Sequence, residues 1–263
     1  MEPFVPSLET KSTEPFIKMM IMGHSGTGKT GALASLALAG YHLHILDFDN
    51  GLEPLVNYIK ASDPKALANV DFMTFRDAYK MGPAGPMLVG GAKAYPNAAR
   101  ALDKWEDGSN PAEWGPDHIC VLDSLTFCGR AALAWAQSMN PSAKEPRQWY
   151  MQGQDSIEKI LAGLTSETFR TNVIVLTHID MREGALEGYA SSLGKSLGPK
   201  IPAYFNTLLA IEKSGMGRAT KRMIKTLPTA TLTLKNAAPM KLEVEYPIET
   251  GLATIFSKLS GKS

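Results

Sequence analysis

The chain has 263 residues, 44% hydrophobic and 20% charged, with a formal net charge of +1. That is the composition of a soluble globule long enough to bury a substantial core, and it excludes a disordered or fibrous chain. Two cysteines, Cys120 and Cys128, form no C-x-x-C pair, so a disulfide framework is excluded and a reducing compartment expected; no apolar run is long enough to span a bilayer.

Residues 1–15 carry three prolines and no periodicity. They read as an extended arm whose Phe4 and Val5 either dock on a neighbouring subunit or belong to a loose tail, and they lack the basic start and apolar core of a signal peptide. Residues 16–22 are apolar enough for a buried strand. They run into Gly23, His24, Ser25, Gly26, Thr27, Gly28, Lys29 and Thr30, which fit G-x-x-x-x-G-K-[ST], the phosphate-binding P-loop. Residues 31–39 read as the following helix, starting at Gly31 and ending at Gly40 in the place of a C-cap. The glycines let backbone N–H groups turn toward phosphate oxygens, and the helix start adds positive potential. Lys29 is placed for the β- and γ-phosphates, and Thr30 for Mg2+. A nucleoside triphosphate is therefore the expected ligand.

Residues 42–51 read as a second strand ending in Asp47 and Asp49, with Asp49 the better general base for an attacking water and a turn-capping carboxylate the competing reading. His42 and His44 share one face of that strand, which suits a packing role better than a metal site. A short helix over 53–60 and a strand over 70–75 follow. Residues 80–96, with three prolines and four glycines, read as a long irregular excursion, and the whole insertion spans about 80–117 with a helix over 98–107.

Residues 118–124 form a strand of four apolar residues and then Asp123, the Walker B pattern, which puts an acid beside the Thr30 hydroxyl at the Mg2+. Helices are expected over 126–139 and 147–169, with Trp149 and Tyr150 read as core-packing residues and base stacking as the alternative. Residues 172–178 form a fifth strand ending in Thr177 and His178, placed to sense the γ-phosphate. Thr177 to Asp180 echoes a guanine-reading motif, but His178 stands where its lysine belongs, so ATP is favoured over GTP. Residues 181–199 read as a mobile loop on the ligand side, followed by a short helix over 201–206 and a strand over 207–212. Closing antiparallel strands are expected over 221–227, 230–235 and 241–246, and a helix over 251–259. Between Met181 and Lys225, eight Lys or Arg stand against three Glu, the profile of a phosphate-backbone binder or of a solvated face.

With these positions placed, the chain resembles the RecA-like ATPases. More narrowly, it is similar to the small phage nucleotide-binding proteins proposed as single-strand annealing or recombination ATPases. The resemblance covers about residues 16–257. It implies an α/β RecA-like P-loop NTPase core: a twisted, mostly parallel sheet flanked by helices, with antiparallel C-terminal strands. The implied layout is an arm at 1–15, one ATPase domain at 16–259 and a tail at 260–263. Asp49 stands where the family carries a catalytic glutamate, Asp123 and Ser124 match the Walker B pair, and Thr177–His178 matches the sensor pair. Arg182, Lys195 and Lys200 fall in the segment that binds DNA in such proteins. Lys235, in Leu234–Lys235–Asn236–Ala237–Ala238–Pro239, resembles a lysine that reaches a neighbour's γ-phosphate.

The implied activity is slow hydrolysis of ATP with Mg2+, stimulated by single-stranded DNA, in a filament or ring in the cytoplasm (the host's, for a phage-encoded chain). The implied partners are single-stranded DNA, further copies of the chain, and a single-strand-binding or replication protein, with no membrane. The alternative is a loader or motor-accessory ATPase acting on a replication or packaging protein. A small-molecule kinase would need a lid with several arginines, and 181–200 offers only Arg182.

Overall fold

The computed structural model describes residues 16–83, 85–181 and 187–261; the arm at 1–15 and Arg182 lie outside the described residues. The first half runs β1 (Lys18–Met22), α1 (Lys29–Ala32), α2 (Ala34–Leu38), β2 (His42–Asp47), α3 (Glu53–Ser62) and β3 (Val70–Thr74). A hairpin of β4 (Ala78–Gly82) and β5 (Gly85–Val89), then α4 (Ala94–Asp103), lead into β6 (Gly115–Asp123). The second half runs α5 (Leu125–Met139), α6 (Pro146–Thr165), β7 (Thr171–Thr177), β8 (Ile179–Met181), β9 (Gly188–Ala190) and α7 (Gly194–Leu197). It closes with β10 (Thr207–Ser214), β11 (Lys221–Lys225), β12 (Glu245–Pro247) and α8 (Gly251–Ser260).

Eight strands form one sheet in the order β12-β11-β10-β1-β7-β6-β2-β3. From β10 to β3 every pairing is parallel, while β11 and β12 return antiparallel at one edge. The parallel strands read as unbroken apolar runs because helices cover both faces. In β1, Met20 and Met22 enter the core under α5 and α6, whereas Met19 and Ile21 enter the core under α1, α2 and α8. The expected fold, a mostly parallel sheet with antiparallel C-terminal strands, is the observed one. β1 sits between β10 and β7, and the chain passes from it to β2 beyond β7 and β6. The carboxyl ends of β1, β7, β6 and β2 therefore open on one crevice, the usual ligand position in such sheets.

Four expectations change. Residues 78–89 of the excursion form the β4–β5 hairpin, with Gly85 at φ 113 in its turn. The helix there starts at Ala94 and not at 98, because Pro96 falls in its first turn, where no N–H is missed. Asp77 caps it, accepting from the backbone N–H of Lys93 and Ala94. Residues 230–235 form no strand; they make only two isolated bridges, Leu232 to Gly188 and Lys235 to Leu208, and of 241–246 only the end joins β12. Finally, the described part of 181–199 is ordered as β8, β9 and α7. No helix among the described residues is long and apolar enough to cross a membrane.

Candidate nucleotide site

β1 ends at Met22, and Gly23 begins the loop that carries the chain into α1. Gly26 and Gly28 have φ of 73 and 97, a left-handed backbone that only glycine adopts without strain. Lys29 Nζ donates to the carbonyl oxygens of Gly23 at 2.8 Å and His24 at 3.1 Å, so the lysine closes back over its own loop. Burial lowers its pKa, against the opposing pull of Asp123 and Asp49.

The next contact joins two motifs 93 residues apart: Thr30 Oγ1 donates to Asp123 Oδ2 at 2.7 Å. Asp123 is 2% exposed at the tip of β6. Burial pushes its pKa up to about 7, helped by Asp49 and Asp47 and opposed by the Thr30 hydroxyl and Lys29. Asp49 Oδ1 accepts from both the backbone N–H and the hydroxyl of Ser124, at 3.1 and 2.8 Å, so the β2 tip is tied to the β6 tip. The Asp123–Ser124 peptide bond is cis.

Asp47 does different work. It accepts from the N–H groups of Asn50 and Asp49 and from the Thr74 hydroxyl, and it lines a separate groove with Leu52 and Phe72. It caps the turn, whereas Asp49 lines the cleft.

A cleft of about 370 Å3 is lined by Ser25, Gly26, Gly28, Lys29, Thr30, Gly31, Asp49, Asp123 and His178. Tyr58, Pro54 and Arg222 complete it, and motif spacing pointed to none of these three. Tyr58 on α3 lies so close to Gly31 that a Cβ there would be 2.8 Å from its ring. His24 and Thr27 face the other side of the loop, where they line a smaller cavity with Ile179 and Leu232.

Oxygen ligands from Thr30 and Asp123, with the Asp49 carboxylate in the same cleft, suit a hard divalent cation such as Mg2+. Among the described residues, no cluster of three His, Cys, Asp or Glu could hold a metal alone, so phosphate oxygens would have to complete its shell.

His178 sits at the tip of β7, and burial and the nearby Lys29 lower its pKa. Its N–H donates to Thr126 Oγ1 at 3.1 Å, and its carbonyl accepts from the N–H of Ser191 at 2.8 Å. The hydroxyls of Thr126 and Thr177 both donate to the Ser191 carbonyl, at 2.8 and 2.7 Å. Spacing offered no sign of this junction, because its members come from α5, β7 and the stretch after β9. Beyond Ser191 the chain packs on two glycines. A Cβ on Gly153 would lie 2.5 Å from Leu193 Cδ2, and one on Gly129 would lie 3.2 Å from Leu193 N.

Of the cations expected near DNA, Arg182 is outside the described residues, Lys195 lies on α7, and Lys200 Nζ pairs with Glu158 at 3.3 Å. Lys235 is not brought to the chain's own cleft. Its Nζ donates to Pro202 O at 2.8 Å, in a groove of about 530 Å3 with Phe16, Lys18 and Lys241 at the amino ends of β1 and β10. His44 packs against Trp114, ring centroids 3.8 Å apart, at that same end of the sheet, in keeping with its expected packing role.

The sequence profile of the AAA domain matches residues 16–238. No curated protein sequence matches significantly. Among solved structures, the chain is similar to the RadB recombinase, with 17% identity, 89% of each chain covered and a TM-score of 0.50. It is also similar to the flagellar accessory protein FlaH from Methanocaldococcus jannaschii, at 15% identity and a TM-score of 0.46 over 89% of this chain and 87% of the other. A KaiC-like protein from Pyrococcus horikoshii OT3 aligns at 10% identity and a TM-score of 0.44, over 88% and 84%.

Proposed function

From a chain that belongs to the AAA domain family and is a P-loop ATPase of RecA-like fold, we propose that ATP binding and hydrolysis govern its grip on single-stranded DNA, in recombination or annealing of the phage type. The observation that carries this reading is the junction at Ser191, where the segment after β9 is hydrogen-bonded to the strand tip that lines the nucleotide cleft.

ATP would lie on residues 23–31, with Lys29 turning from its carbonyls to the β- and γ-phosphates. Thr30 and Asp123 would hold Mg2+, which when bound neutralises the charge that develops on the phosphates. Asp49, held by Ser124, orients water or takes its proton. His178 faces the γ-phosphate end, and its carbonyl carries any shift to Ser191. The loop 181–200 to which Ser191 belongs, with Arg182, Lys195 and Lys200, contacts the DNA backbone, and its order changes with nucleotide state. Lys235, at the far end of the sheet, acts on a neighbour's nucleotide in a filament or ring.

Single-stranded DNA binding measured with ATP, ADP and no nucleotide tests this. Affinity should depend on nucleotide and fall with salt, with a log–log slope reporting several released counterions. DNA affinity that ignores nucleotide at every salt would remove the coupling.

One feature favours the loader or motor-accessory alternative. The β4–β5 hairpin exposes Tyr79, Met81, Met87, Leu88 and Val89, an apolar display that suits a protein partner. ATP-dependent capture of a replication or packaging protein without DNA would support it.

A further inference from the structure

We propose that Arg222 is a second fixed cation of the nucleotide site, supplied by the chain itself, and that it holds the α- and β-phosphates. Arg222 is the second residue of β11, where it pairs with Lys213 of β10. The start of β11 lies at the carboxyl ends of the parallel strands, so its side chain points along the rim that carries the P-loop. There it packs on Gly28: a Cβ on that glycine would lie 3.0 Å from Arg222 Cδ and 3.6 Å from Nε. Gly28 is therefore required twice, for its φ of 97 and for the bare surface on which the arginine stem rests.

Arg222 lines the same cleft as Lys29, Thr30, Asp49 and Asp123. Among the described residues, no carboxylate lies within ion-pairing distance of its guanidinium. A half-buried arginine without an ion-paired carboxylate among the described residues, facing a loop built for phosphate, is matched by a phosphate fork.

The sheet order says which phosphates. In the sequence β11-β10-β1-β7-β6-β2, Asp49, Asp123 and His178 stand at the tips of β2, β6 and β7, on one side of the P-loop strand β1. Arg222 comes from the other side, across β10. The acids mark the end where water attacks and the γ-phosphate leaves. Arg222 marks the end that stays bound, so it contacts what ATP and ADP share.

The test compares Arg222→Ala with the unchanged protein, by titration with ADP and with a non-hydrolysable ATP analogue. The expected result is a rise in both dissociation constants by a similar factor, about 10-fold for the loss of a charge-assisted pair. KM for ATP should rise with them, so that the loss falls on KM and not on kcat. Arg222→Lys should recover part of the affinity, since its point charge replaces the fork incompletely. Arg222→Gln keeps the stem on Gly28 and serves if the alanine variant does not fold. A fall in kcat with ADP affinity unchanged would overturn the proposal, as would no change in either. A Lys29→Ala chain that still binds ADP like the unchanged protein would overturn the premise that this loop is the nucleotide site, which separates the two failures.

Discussion

Thr126 Oγ1 receives a hydrogen bond from the His178 N–H at 3.1 Å and donates its own proton to the Ser191 carbonyl at 2.8 Å. One hydroxyl on the helix just behind Asp123 and Ser124 thus joins the tip of β7 to Ser191. The one proton of this buried hydroxyl is committed to Ser191 while its oxygen holds His178, so a shift of either partner strains the other contact.

The Thr126→Val substitution keeps the shape and removes that link. The chain should still bind ATP, while the ratio of its single-stranded DNA affinities with ATP and ADP falls toward one. Fluorescence anisotropy with both nucleotides reads this directly. A ratio unchanged from that of the parent chain would place the coupling elsewhere.

Asp49 is fixed by two donors from Ser124, so its carboxylate is oriented before any substrate arrives. Asp49→Asn should lower kcat by about 100-fold or more, the usual worth of a general base, with ATP affinity largely retained. Steady-state hydrolysis beside nucleotide titration checks both halves. Loss of binding alone would assign Asp49 to structure.

Acid should weaken the fold through His44. Burial and the adjacent His118, with a smaller push from His42, lower its pKa to about 4, only partly offset by Asp71 and Asp107. The His118 pKa is lowered too, first by burial and then by His42. The unfolded chain therefore takes up protons near the ordinary value of about 6.5, before the folded chain does, and stability falls as pH drops from there toward 4. At about 1.4 kcal/mol per unit the His44 contribution is on the order of 3 kcal/mol. His44→Phe keeps a ring against Trp114 and should flatten the slope of urea midpoints between pH 7 and 4.5. An equal slope in both chains would remove His44 as the cause.

Gly153 leaves room for Leu193, and a methyl there would sit 2.5 Å from its Cδ2. Gly153→Ala should cost about 1–3 kcal/mol as overpacking. Because Leu193 follows Ser191 closely, the cost should appear first as faster proteolysis within 187–197. Limited proteolysis against the parent chain shows whether the segment loosens before the domain does.

Local order in the chain was enough for the P-loop, the Walker B strand and the sensor strand. Each is a contiguous run whose apolar residues must be buried and whose polar end falls at the carboxyl edge of the sheet, so the strands ending at Met22, Asp123 and Thr177 could be placed by reading along the chain. The parallel core followed from the same runs. Prolines and glycines misled where they bent the chain without breaking its elements, as at Pro96 in the first turn of α4 and Gly85 in the hairpin turn. Folding alone decided which residues share the cleft. Arg222 reaches Gly28 only because β11 returns antiparallel beside β10, and Tyr58 reaches Gly31 only because α3 packs on α1. Asp47 and Asp49 are two residues apart and chemically alike, yet one caps a turn and the other faces Ser124. The cause is directional: hydrogen bonds and side-chain contacts between distant segments depend on strand order and register, which no local pattern of residue types encodes.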